Sequence, residues 1–269
     1  MGCNGHRVEP CRRHVHCSSM SVAASSFVDA PLSYCGPAVG PQLLLAQWNF
    51  EPAILALLGV GAVGAIRLAK QGHHRESRIA TQILLLLAFL YVSPFCAWGS
   101  SLFTVRVVHH LLLALVLAPL LALLGSDILK RCPGGMTGWT VIASAAMWAW
   151  HAPRLYDWAV ASDLGYWAMQ ISILITATLF WHRVQHAQRT VAIAGLLGAM
   201  VAMGALGAII TLASQPLYAP HFSTTIGWGL SPLDDQQLAG LVMWAPASAV
   251  YLFAALVRVH RLVGREAAA

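Results

Sequence analysis

The sequence predicts an all-α polytopic membrane protein: a bundle of seven transmembrane helices with its N-terminus outside and its C-terminus inside. Three observations carry this prediction. Of 269 residues, 58% are hydrophobic and only 10% are charged, whereas soluble domains carry about a quarter charged residues. Mean hydropathy is +0.67, which suits a chain whose solvent is mostly hydrocarbon. Apolar runs close to the roughly 20 residues that a bilayer demands recur along the chain, and the basic residues between them alternate between two sides.

The runs lie near 52–69, 79–99, 103–124, 138–159, 165–182, 191–213 and 237–258. The fourth and fifth are interrupted by Trp, Tyr and His. Trp98, Trp139, Trp158, Trp181 and Trp244 mark span ends, as expected where an indole meets the headgroups. The loop after the first span, RLAKQGHHRESR, carries Arg67, Lys70, Arg75 and Arg78. Lys130 and Arg131 follow the third span, Arg183 and Arg189 the fifth, and Arg258, Arg261 and Arg265 the last. The alternate loops hold only Arg154, with Arg106 just inside a helix, and residues 214–236 contain no Lys or Arg. Basic loops stay inside. The same distribution argues against nucleic acid as the partner of this basic chain, because its charges form short loop clusters rather than one face.

These boundaries divide the chain into a flexible outer segment (1–47), a membrane domain (48–262) and a short cytoplasmic tail (263–269). Cys3, Cys11, Cys17, Cys35, Cys96 and Cys132 contain no CxxC spacing and give no disulfide framework. The stretch CRRHVHCSSM reads either as a metal-binding tract or as sequence upstream of a true start at Met20; the second is favoured. No continuous apolar stretch of the signal-peptide type follows its arginines. No period of roughly 20 to 50 residues repeats.

Polar side chains inside the spans are the functional candidates. In FTVRVVHHLLLALVLAPLL, His110 lies about 10 Å below the outer boundary of the third span at 1.5 Å per residue. In MWAWHAPRLYDW, His151 lies at a similar depth on the neighbouring antiparallel span, with Met147 one turn away on the same face. Met243 and Cys96 occupy a comparable depth. Imidazole, thioether and thiolate are ligands that favour copper, particularly Cu(I), over hard ions. His109 points about 100° away from His110 and is assigned an interhelical hydrogen bond. Arg106 is expected to pair with Asp157 or Asp163, or else to attract an anionic partner. His73, His74, His182, His186 and His260 accompany the basic loops and read as a solvated face. His221, in the last outer loop, has a reach that spacing does not define. In SPLDDQQ, Ser231 or Asp234 caps the last helix, where acids suit the positive end. The alternative for this loop is a partner-docking surface made by Asp235, Gln236 and Trp228.

With these residues assembled, the chain resembles the multi-span CtaG family of cytochrome c oxidase assembly factors. Four stretches carry the likeness: YCGPAVGPQLLLAQWNFEP, VVHHLLLALVLAPLLAL, WHAPRLYDWAV followed by FW, and YAPHFSTTIGWGLSPLDDQQLAGLVMW. They extend over roughly residues 34–258 and support Met20 as the start. The resemblance implies a non-enzymatic factor in the bacterial inner membrane that aids copper delivery to, or maturation of, outward-facing oxidase subunits. On the family pattern His110 and His151 match the third- and fourth-helix histidines, Tyr34 and Cys35 an N-terminal pair, and Asp235, Gln236 and Gly240 the start of the last helix. Two positions depart. Many members carry a histidine where this chain has Arg106, and Glu-His where it has Met169 and Gln170. The resulting metal set is His110, His151, Met147 and Cys35, with Met169 as a substitute. Two alternatives stay open: a metal-free scaffold for a nascent oxidase subunit, and a haem- or quinone-binding respiratory protein, since two histidines at one depth also suit haem. A transporter is disfavoured, because no inverted repeat is apparent.

Overall fold

The computed structural model describes residues 34–266. The expectations about Cys3, Cys11, Cys17 and Met20, and residues 267–269, lie outside the described residues. The described chain is helical along nearly all of its apolar length. Helix α1 (Pro52–Lys70) opens with proline at its first turn, where a missing N–H costs nothing, and ends on Arg67 and Lys70. It packs against α2 (His74–Tyr91). Its window is only 11% buried, so Leu57, Val60, Val63 and Ile66 face outward. Exposed aliphatic side chains in such number are accounted for by lipid rather than water.

The second span is not the single helix expected over 79–99. Helix α2 stops at Tyr91, and α3 (Phe95–Ser101) continues after a 42° bend. Pro94 is the cause: it lacks the N–H that α2 would need, and it pushes the preceding residue away from helical geometry. Ser93 bridges the break, donating to the Phe89 carbonyl at 2.5 Å and accepting from the Phe95 N–H at 3.3 Å.

Helix α4 (Phe103–Leu124) matches the expected third span, but its middle, Leu113–Leu117, is a π-helical stretch. The last helix, α9 (Pro232–Arg261), contains the same device at Met243–Ala247. Both are explained by proline. Pro119 and Pro246 cannot donate into the ladder, and each ring crowds a carbonyl in the preceding turn, so the turn widens. The widened turn of α4 leaves the Ala114 carbonyl without a backbone donor, and the Trp181 indole supplies one at 2.7 Å. Trp181 is therefore a buried interhelical strut stacked on Tyr251, not the interfacial anchor that its place near a span end suggested.

The fourth span also breaks. Helix α5 (Met136–Trp150) is 15 residues long, about 22 Å, and α6 (Pro153–Ala161) resumes after His151 and Ala152. Pro153 ends α5 as Pro94 ended α2. Helix α7 (Asp163–His186) is the central element, 56% buried along its apolar window, and α8 (Arg189–Leu212) returns beside it. Among the described residues, five helices are long and apolar enough to cross a membrane, or up to six if the bent α2–α3 pair is one span. Helices α8 and α9 approach closely where Gly207 faces Gly240: a Cβ on Gly207 would come within 2.7 Å of the Gly240 carbonyl and the Trp244 backbone nitrogen. Small residues permit such crossings in membranes.

Of the segment expected to be flexible (1–47), residues 34–47 are described and are tied to α3. Cys35 is disulfide-bonded to Cys96, Val39 exchanges backbone hydrogen bonds with the Ser101 hydroxyl, and Trp98 donates to the Leu44 carbonyl. The two cysteines are 61 residues apart, and packing of this strap over α3 brings them together. That packing is what the spacing concealed.

Candidate functional site

The site begins at the start of α4, which lies inside the protein. Its first N–H groups need acceptors that water would otherwise supply. Asp235, fully buried in α9, accepts from Phe103 N–H at 2.6 Å and from Thr104 N–H at 3.1 Å. The Thr104 hydroxyl answers by donating to the Asp235 carbonyl. Asp235 thus caps a helix other than its own. The cap of α9 itself is Ser231, in a capping box with Asp234. Gln236 is also buried; it accepts from Leu217 N–H at 2.6 Å and donates to the carbonyls of Ile210 and Gln215. Trp228 is half-buried and donates to the Val39 carbonyl. The docking surface expected from Asp235, Gln236 and Trp228 is therefore corrected: their polar groups are spent on this chain, and the first two have no surface.

Two turns into α4, His110 is completely buried. Across from it, His151 caps the broken end of α5 and is 3% exposed. The ring centroids are 5.3 Å apart and the planes almost perpendicular, at 89°. His151 Nδ1 lies 2.7 Å from the Met147 carbonyl oxygen. A carbonyl only accepts, so Nδ1 carries the proton and Nε2 keeps its lone pair. That Nε2 and both ring nitrogens of His110 have no hydrogen-bond partner among the described residues. Met147 is buried one turn back from His151, where it helps to line a small cavity beside Met203 and Phe180. Met169 is buried on α7 and Met243 opens the π-helical stretch of α9.

An aromatic layer surrounds the pair. Phe103 stacks on Tyr218 at 3.7 Å and meets Tyr156 and His151 edge-on. The Tyr218 hydroxyl donates to the His151 carbonyl at 2.9 Å, fixing the break after α5. His221, whose reach spacing did not define, is buried, with Nε2 2.6 Å from the Tyr156 hydroxyl. Burial, and then the charge of Arg106, push its imidazole down to about 3. His109 turns away as expected, its ring edge-on to Tyr91 at 5.2 Å, and the Tyr91 hydroxyl donates to Gln170 Oε1 on α7.

Arg106 departs from expectation. No carboxylate lies within ion-pair distance of it among the described residues; neither Asp157 nor Asp163 reaches it. The guanidinium is 1% exposed, stands over the Tyr166 ring at 5.3 Å and points Nη1 at Cys35 Sγ, 3.8 Å away. It fits because Gly99 has no side chain: a Cβ there would lie 3.2 Å from the Arg106 Cζ. Cys35, also expected as a ligand, is held in the disulfide, and a disulfide sulfur is not the thiolate that metals bind. Among the described residues no three of His, Cys, Asp and Glu come together at one point. What remains is a buried pair of imidazoles with free lone pairs, a donor set suited to a soft or borderline cation.

Residues 138–264 match the model of the cytochrome c oxidase caa3 assembly factor family, Caa3_CtaG. Over these residues, a little under half of the chain, it is similar to the CtaG family. The CtaG match covers His151, Gln170, His221 and Asp235, while His110, Arg106 and the disulfide precede it. Assembly of cytochrome c oxidase is the role by which the family is described. No curated protein and no solved structure shows significant similarity to the chain. The residues that sequence reasoning missed around the histidine pair are Tyr156, Tyr218 and the Cys35–Cys96 link.

Proposed function

We propose that this protein assists assembly of haem-copper cytochrome c oxidase by holding copper, as cargo, on His110 and His151 near the outer face of a bacterial inner membrane. The observation that carries this reading is the buried pair of imidazoles, 5.3 Å apart, with three ring nitrogens lacking hydrogen-bond partners. Unpaired polar atoms in an apolar bundle cost free energy, and such costs mark functional positions in membrane proteins. The family match over residues 138–264 supports the oxidase as the client. Transfer is by ligand exchange rather than turnover, and Met147, one turn from His151, is the adjacent sulfur donor.

Seven spans follow if α2–α3 counts as the second and the broken α5–α6 as the fourth. The N-terminus is outside and the C-terminus inside. The basic loops support this. So does the disulfide at the opposite end of the bundle, since such bonds persist in oxidising compartments. An oxidase subunit docks from that side, where Phe222 and Ile226 of the last outer loop are exposed.

The test is the double variant His110→Ala, His151→Ala, expressed in host membranes. It is expected to insert normally, to lose copper on purification and to leave oxidase activity strongly reduced. Full oxidase activity in that variant rejects the proposal. Wild-type protein that takes up no copper at any loading, yet is still required for oxidase activity, makes the chain a metal-free scaffold instead.

A further inference from the structure

The basic-loop end of α7 repeats the His110–His151 arrangement with residues that oxidase assembly, as read above, does not use. His182 is not part of a solvated face: it is 1% exposed, and neither ring nitrogen has a hydrogen-bond partner among the described residues. His186, one turn later and exposed, places its ring centroid 4.2 Å from that of His182. Its Nδ1 lies 2.9 Å from the His182 carbonyl oxygen. As at His151, the carbonyl fixes the proton on Nδ1 and leaves the Nε2 lone pair available. Each pair thus joins one histidine anchored to a carbonyl one turn back with one buried histidine whose nitrogens are unspent.

We infer that His182 and His186 form a second metal clip, taking Cu(I). Histidines four residues apart on a helix share a face and are a recurring metal-binding spacing. No carboxylate or further thiolate joins them among the described residues, so the donor set is two neutral imidazoles, which suits copper rather than a hard ion. Arg183 and Lys130 act electrostatically on His182, and their repulsion weighs twice as heavily on a divalent ion as on a monovalent one. Cu(I) is the monovalent ion that two imidazoles satisfy. The clip is separate from the first: His182 lies about 24 Å along α7 from Tyr166, which packs against Arg106 near the outer pair. It belongs to the opposite end of the bundle and does not depend on the outer pair being a copper site.

The experiment is anaerobic Cu(I) titration of the purified full-length protein against a chromogenic Cu(I) chelator, read as equivalents lost relative to wild type. His186→Ala removes an exposed ring and leaves the buried one in place, so the fold is not at issue. It is expected to lose one tight equivalent, as is His182→Gln. The variant His110→Ala, His151→Ala should retain the equivalent that His186→Ala removes. An unchanged titration for both His186→Ala and His182→Gln overturns the inference, as does one-equivalent Zn(II) binding at this pair with no Cu(I) binding there. If the His110, His151 variant loses nothing while His186→Ala loses one equivalent, this clip stands and the outer copper site falls.

Discussion

Asp235 carries the cost of starting α4 inside the protein rather than in water. It satisfies two buried backbone donors at once, so Asp235→Ala leaves both unpaired. At about 1–3 kcal/mol for each such group, the variant should unfold in detergent at a clearly lower temperature than wild type. Asp235→Asn, which keeps one acceptor, should fall between. Equal stability of all three would show that water replaces the carboxylate. Arg106 poses the opposite case, a buried charge balanced by an aromatic face and hydroxyl dipoles instead of an anion. It illustrates why an acid at a similar depth on another helix is a poor guide to ion pairing in a bundle. The carboxylates expected to pair with it, Asp157 and Asp163, belong to α6 and α7 and do not reach it.

Elements show what proline does in hydrocarbon. A break or widened turn frees backbone groups that lipid cannot hydrate; Ser93 answers locally at the end of α2, and side chains from other elements do so at α4 and α5. Trp181 does this for Ala114. Trp181→Phe keeps the ring packing but removes the donor, and should destabilise the α4–α7 contact by about 1–3 kcal/mol, measurable as faster hydrogen exchange in α4. The loop before α9 is held by a different device, neutral His221 on Tyr156. Its folded imidazole is lowered from 6.5 to about 3 by burial. The unfolded loop therefore binds the proton more readily than the folded one. The stabilisation is present in full above pH 6.5 and is lost progressively as pH falls toward 3. Limited proteolysis between residues 214 and 231 should accelerate over that window in wild type, and the acceleration should be weaker in His221→Asn.

For the molecule as a whole, orientation is the property from which the rest follows, because it decides which histidine pair meets which compartment. A cysteine at Ile226, 67% exposed, should react with a membrane-impermeant maleimide in intact cells. A cysteine at His73, whose side chain is 59% exposed in the α1–α2 loop, should react only after permeabilisation. The reverse pattern inverts the topology and places His182 and His186, not His110 and His151, at the outer face. Helix α1, little buried and packed on α2, behaves as a peripheral element; α7, buried along most of its length, is the one around which both histidine pairs are arranged.

Much of this was legible without coordinates. Hydropathy and loop charge depend only on the order of residues along the chain, so they placed the spans within a few residues, with α4 matching 103–124, and marked His110 and His151 as one layer. Depth along a helix is a one-dimensional quantity, and sequence reports it. The rest is set by which faces of separate helices meet. The Cys35–Cys96 link, the capping of α4 by Asp235 and the seating of His221 on Tyr156 all join positions that no local spacing connects. In an apolar bundle, buried polar groups settle wherever packing happens to leave them a partner, and only the tertiary structure decides which groups find one.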